Sequence, residues 1–275
     1  MPRSIPRVLS IAGTDPTGGA GLHADLKSIL AAGGYGMGVV TALVAQNTHG
    51  VRSVHIPPVD FLTEQLHAVS DDVHIDAVKV GMLGTCDIIK AVSAWFEPID
   101  APLILDPVMI ASSGDRLLDP SAESALRELA AAATIITPNI PELEVLTSQS
   151  LSSVDEAITA AQGFAQTHGT LVVVKGGHLE GNEAGNWLVD ANGILSHTST
   201  PRLDTKNTHG TGCSLSAALA TRLAKTGDPA LALEWATLWL HDAIASADQL
   251  EVGSGNGPVD HGVWLRALKD GDQEA

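Results

Sequence analysis

The sequence predicts an α/β fold with a central, mostly parallel sheet and helices on both faces. Short β-like runs alternate with amphipathic helical stretches along nearly the whole chain, which is the pattern of βαβ units. Runs such as 39–45 and 171–174 are apolar on both sides, as strands become when helices cover both faces of a sheet. The residues just after each run are polar or glycine-rich in nearly every case, and parallel sheets bind ligands beyond the carboxyl ends of their strands.

Taken in order, 8–12 reads as a strand stopped by Gly13. Residues 20–32 read as a helix with Leu22, Leu26, Ile29 and Leu30 on one face. Strands are then expected at 39–45, 77–82, 102–105, 134–137 and 171–174. Helices are expected at 61–69, 85–96, 121–132, 153–167, 210–224 and 230–247. The polar, glycine- and asparagine-rich stretch 177–201 suits a hairpin or flap. No linker or internal repeat interrupts the chain, so residues 1–275 read as one domain. Its acidic tail, about 270–275, is expected to fray.

Composition narrows the function. Of 275 residues, 44% are hydrophobic and 17% charged, which is globular rather than disordered. Fifteen basic against thirty-two acidic residues leave a charge of −17, which repels phosphate backbones and makes nucleic acid an unsuitable partner. No apolar run is long enough to span a membrane or form a signal segment. The two cysteines, Cys86 and Cys213, lie far apart and in no zinc pattern, so a reducing, cytoplasmic setting is expected.

Four groups of residues could carry chemistry. The turn 209–213, HGTGC, leads into a helix. Its glycines let backbone amides face inward at the positive end of the dipole, which makes an anion site. A thiol there, Cys213, is expected to ionise more easily. A glycine-softened helix entry with a small packed cysteine is the plainer alternative. The run 13–21 has four glycines in nine residues but lacks the Lys-Ser/Thr of a phosphate-binding P-loop, and it is not G-x-G-x-x-G. Asp106 at one strand end and Glu142 after the next could hold magnesium, although Asn139, Pro141 and Glu142 also suit the start of a helix. Lys175 ends a strand as a cation for phosphate, or else as a solvated lysine. The eleven histidines show no metal-ligand spacing. Of the five tryptophans, Trp235 and Trp239 share a helix face and serve packing or a subunit contact.

Eight motifs in order resemble the bacterial hydroxymethylpyrimidine/phosphomethylpyrimidine kinases of thiamine biosynthesis. They are AGTDPTGGAG (12–21), TALVAQN (41–47), VGML (80–83), LDPVM (105–109), TPNIPE (137–142), VKGGH (174–178), TKNTHGTGC (205–213) and LEVG (250–253). The resemblance implies a ribokinase-like three-layer sandwich that uses ATP and Mg2+. It implies phosphorylation of 4-amino-5-hydroxymethyl-2-methylpyrimidine to the monophosphate and then the diphosphate. Cys213 stands where many ribokinase-like enzymes have an aspartate base, beside Gly210, Thr211 and Gly212. Gln46 matches the pyrimidine-reading glutamine, with Gly13, Asp25, Val44, Met82 and Val108 completing that pocket. Asn139, Lys175, Lys206 and Thr208 fall on the nucleotide side, and Asp106 and Glu142 on the metal. A homodimer is expected. A pyridoxal-type vitamin kinase is the near alternative, and a non-catalytic pyrimidine-sensing domain the distant one.

Overall fold

The structure, a computed structural model, describes residues 4–110, 117–178 and 182–266. The expected tail at 270–275 lies outside them. The elements run β1 (Arg7–Ala12), α1 (Gly21–Ala31), β2 (Tyr35–Val40), β3 (Leu43–Asn47), β4 (Gly50–His55), α2 (Val59–Ser70), β5 (Ala77–Val80) and α3 (Cys86–Phe96). They continue with β6 (Leu103–Leu105), α4 (Glu123–Ala132), β7 (Ile135–Ile136), α5 (Ile140–Thr147), α6 (Val154–His168) and β8 (Leu171–Lys175). The last are β9 (Glu183–Asp190), β10 (Gly193–Pro201), α7 (Thr211–Thr226) and α8 (Pro229–Ala245).

Eight strands form one sheet in the order β10-β9-β8-β7-β6-β5-β1-β2. From β2 to β8 every pairing is parallel, and β9 and β10 close the edge antiparallel. The central strands β5, β6 and β7 are buried throughout, as two-sided coverage demands. One layer packs α2 to α6 on Leu9, Val78, Val80 and Leu105. The other packs α1, α7 and α8 on Val8, Ala77, Ile104 and Val173. The α8 tryptophans belong to this second layer. Trp239 is fully buried, and Trp235 stacks on it and meets Trp264 edge-on, so packing accounts for both.

Local signals account for the helix ends. Thr85, Ser153 and Asp228 cap α3, α6 and α8 with side-chain oxygens. Gly169 and Gly227 close α6 and α7 in the left-handed conformation.

The expected strand at 39–45 is in fact two. The Thr41 hydroxyl donates to the Met82 carbonyl at 2.6 Å, and Thr14 N donates to the Ala42 carbonyl at 2.9 Å. These bonds turn the chain out of the main sheet after Val40. β3 then pairs with β4, which the sequence reading did not anticipate, as a separate two-stranded hairpin. An apolar run carries no mark of such a break, because the residues that cause it are small and buried.

Candidate active site

The carboxyl ends of the parallel strands, the β3–β4 hairpin and the start of α7 enclose one cleft of about 730 Å³. At one end stand Gly13, Val44, Gln46, Met82 and Val108. Val44 and Met82 pack with Ala42 as a small apolar cluster, against which Val108 rests. The β3–β4 register slips at Gln46, and such a bulge re-aims the side chain.

The anion turn lines the same cleft with Gly210, Thr211, Gly212 and Cys213. No side chain caps α7; Thr211 N donates to the Thr208 carbonyl at 3.3 Å and Ser214 N to the Gly210 carbonyl at 2.9 Å, which leaves the Gly212 and Cys213 amides for an anion. Gly210 has φ +79°, and a Cβ there would collide with the Gly19 carbonyl, so glycine is required on both counts. Behind the turn, Lys175 Nζ donates to Asp106 Oδ1 at 3.3 Å, and Thr137 Oγ1 donates to the same oxygen at 3.1 Å. Lys175 is therefore a largely buried, paired cation and not a solvated one. Burial pulls its pKa down, but Asp106 and Glu142 outweigh this and raise it.

Glu142 is both a cap and a cleft group. Asn139 Oδ1 accepts from Glu142 N at 2.9 Å, and Glu142 Oε2 accepts from Asn139 N at 2.8 Å, a complete capping box. Burial and the Asp106 charge raise its carboxyl to about 7, against the opposing pull of Lys175. Two crowded carboxylates whose charge is only partly met by one lysine suit a divalent cation shared with phosphates. Among the described residues, no three His, Cys, Asp or Glu side chains group to hold a metal by themselves.

Three expectations need correction. The Cys213 thiol does not ionise more easily. It is half-buried beside the Asp25 and Asp106 carboxylates, and burial with these charges pushes it up to about 12, against the pull of Lys79 and a bond from the Gly21 backbone. Here the helix dipole is outweighed. Asp25 does not face the cleft. It is fully buried, and Lys79 Nζ donates to both its oxygens, at 2.9 and 2.8 Å, while Ser10 Oγ donates at 2.6 Å. Burial penalises both members of this pair, and the contact still holds the Lys79 ammonium above its usual range. Lys206 is exposed and lies off the cleft wall, whereas Asn139, Thr208, Thr211 and Gly212 line it.

The sequence reading assigned no role to Asp15, His209 or Arg202. Asp15 is fully buried inside the glycine-rich loop. It accepts from Thr17 N at 2.9 Å, Gly19 N at 3.1 Å and Ala20 N at 2.9 Å, and it contacts His209 Nε2 at 2.8 Å. Burial alone would raise its carboxyl, but the bonds from His209 and Thr17 hold it well below the usual range. This pair ties the 13–21 loop to the anion turn. An acid inside a glycine run is an Asx-turn signal, and it was available in the sequence. Arg202 donates to the carbonyls of Gly177 at 2.7 Å and Glu183 at 3.1 Å, bracing the turn after Lys175.

A phosphate-ready helix start facing a lysine–carboxylate pair, at the carboxyl ends of a parallel sheet, defines a ribokinase-like α/β protein built around an anion-binding cleft. The chain belongs to the phosphomethylpyrimidine kinase family, whose pattern matches residues 15–260. It is 46% identical over 256 residues to the hydroxymethylpyrimidine/phosphomethylpyrimidine kinase of Escherichia coli, covering 92% of this chain and 96% of that protein. It is 59% identical over 267 residues to the thiamine biosynthesis multifunctional protein ThiED of Corynebacterium glutamicum, covering 96% of this chain but 35% of that longer protein. The chain thus spans about a third of the length of that relative. Among solved structures, an ADP complex of Bacillus subtilis pyridoxal kinase superposes with TM-score 0.86 at 33% identity, over 95% of this chain and 99% of that one. The phosphomethylpyrimidine kinase of Clostridium difficile gives 0.76 at 36%, over 87% and 99%.

Proposed function

We propose that this chain transfers the γ-phosphoryl group of ATP first to 4-amino-5-hydroxymethyl-2-methylpyrimidine and then to the resulting monophosphate, giving the diphosphate for thiamine biosynthesis. The observation that carries the reading is the placement of Gln46 and its apolar walls across one cleft from the anion turn 210–213. A glutamine amide offers a donor and an acceptor together, which matches a ring nitrogen beside an exocyclic amine. Val44, Met82 and Val108 supply the walls that a neutral ring needs. The open amides of the turn and Lys175 take up charge as the phosphoryl group moves.

Asp106 and Glu142 would hold Mg2+, directly or through water. A bound ion would supply positive charge that offsets the charge of the transferring phosphates. With its thiol pushed up to about 12, Cys213 holds its proton near neutral pH, so it can take the alcohol's proton only after releasing its own to water in the cleft. The Lys79 charge and the start of α7 favour that loss, while Asp25 and Asp106 oppose it. The second acceptor, a phosphate monoester, is already mostly ionised near neutral pH and needs no such base. Asn139 and Thr208 fall on the nucleotide side. Asp25 would act from beneath the pocket, and Lys206 would reach the nucleotide only from outside the cleft wall.

The protein is expected to work in the cytoplasm, and no described helix is long and apolar enough to cross a membrane. A homodimer would use the outward face of the β3–β4 hairpin, where Leu43 is 53% exposed. Pyridoxal is the second reading, favoured by the likeness to pyridoxal kinases. ATP consumption with the pyrimidine alcohol, its monophosphate and pyridoxal in parallel separates the two. The expected result is a higher kcat/KM for both pyrimidines than for pyridoxal, and the reverse order would replace the proposal. Gln46→Leu should weaken the pyrimidine alcohol by about 1–3 kcal/mol through unpaired polar groups.

A further inference from the structure

The LEVG motif (250–253) and the glycine-rich residues after it take no part in the chemistry above, yet they run between the two halves of the cleft. Gly255 N donates to Thr48 Oγ1 at 3.2 Å, and Asn256 N donates to the Thr48 carbonyl at 2.9 Å. Thr48 is the first residue of the β3–β4 turn, two positions after Gln46. A little further along, the Gly257 carbonyl accepts from His209 N at 3.0 Å, and Pro258 bridges to His209. His209 immediately precedes the anion turn and is bonded to Asp15.

The approach is close at both ends. A Cβ on Gly253 or Gly255 would collide with Thr48, and one on Gly257 would collide with the Asn207 side chain. Gly253 also has φ +73°, where glycine is favoured. Past Pro258 the segment is anchored in the protein body. Asp260 N donates to the Ala243 carbonyl of α8 at 2.8 Å, and its carboxylate accepts from Ser246 Oγ at 3.2 Å and Gly262 N at 3.0 Å.

We propose that residues 253–258 form a strap that fixes the distance between the hairpin carrying Gln46 and the anion turn. Thr48 is a positioning residue that acts through Gln46. Among the described residues the β3–β4 hairpin has no third strand, and a two-stranded hairpin is marginal in water unless something else holds it. Its base is held by Val44 N donating to Thr14 Oγ1 at 3.1 Å, and its tip by the strap. The acceptor ring is read on this hairpin and the phosphoryl group is held on the turn. A misplacement of about 1 Å between reacting groups can cost on the order of 100-fold in rate. A fixed link between the two parts removes that freedom. The inference rests on the assignment of Gln46 as the ring-reading residue.

Three variants of the full chain test it. Gly255→Ala pushes the Thr48 carbonyl away, Thr48→Val keeps the shape and removes the acceptor oxygen, and Thr48→Ser keeps the hydroxyl. Steady-state kinetics are read together with amide hydrogen exchange at 43–55 and 207–213. Gly255→Ala and Thr48→Val should lower kcat with the pyrimidine alcohol by about tenfold, the worth of one ordinary hydrogen bond, with KM for ATP unchanged. Thr48→Ser should behave as wild type. Gly255→Ala should also speed exchange at both the hairpin and the 207–213 stem. An unchanged kcat, a raised KM for ATP, or faster exchange confined to the hairpin, would overturn the strap. If the wild-type protein phosphorylates no pyrimidine, the functional reading fails, and the exchange experiment alone decides the strap.

Discussion

Cys213 and His261 show how environment sets the behaviour of a single side chain. Cys213 opens a helix, and that position alone suggests an acidic thiol. Two carboxylates and burial reverse the expectation, and neither neighbour is close to Cys213 in sequence. Its proposed role as proton acceptor predicts a difference between the two reactions. Cys213→Ala should slow phosphorylation of the alcohol by about 10²–10⁴-fold and that of the monophosphate far less. Single-turnover rates with each acceptor check this, and equal losses would make the residue part of the anion turn only. His261 lies behind α7, with Nε2 2.9 Å from Ser214 Oγ. Burial and the Lys27 charge lower its pKa from 6.5 to about 4, against a bond to the Val259 backbone. As pH falls, the unfolded chain takes up this proton first. The stability it contributes is therefore complete above about pH 6.5 and lost as pH falls through about 4, a loss on the order of 3 kcal/mol. Urea titrations at pH 7 and 4.5 should show a smaller loss for His261→Gln than for wild type. Parallel losses would mean that His261 does not carry the effect.

The anion turn and the glycine-rich loop work as one element. Asp15 gathers three amides of its own loop and reaches across to His209, while Gly210 packs against the Gly19 carbonyl. Gly210→Ala would force a side chain into that contact at a left-handed φ, and backbone strain of this kind costs about 1–3 kcal/mol. The expected outcome is a folded protein with a lower melting temperature and a kcat reduced at least about tenfold for both acceptors. A variant with wild-type kcat would show that the turn tolerates displacement. The sequence made this element legible only in part. Glycine spacing and the following helix marked 209–213 as an anion site, because that property is local. The Asp15–His209 bond joins residues 194 positions apart, and no local pattern announces it. The same holds for β4 and for the break after Val40, both set by long-range bonds to Met82 and Thr14. Asp25 matched a motif, and its burial against Lys79 depends on where β5 and α1 meet.

At the scale of the whole molecule, the sheet order explains why motifs spread over the sequence meet in one cleft. The switch at β1 and β5 sends successive strand ends, Gly13, Met82, Asp106, Asn139 and Lys175, to one edge of a parallel sheet. Period and alternation predicted every described α-helix except α5 within a few residues, and the central strands closely, because burial on both faces leaves a strong apolar signature. The central claim is that one cleft phosphorylates the pyrimidine twice. Mass spectrometry of a time course with ATP and the pyrimidine alcohol tests it most directly, run with magnesium and again with a chelator. The expected result is a monophosphate that rises and then gives way to the diphosphate, with one ADP formed per phosphoryl group transferred, and neither product in chelator. Folded protein that forms no pyrimidine phosphate in the presence of magnesium would contradict it.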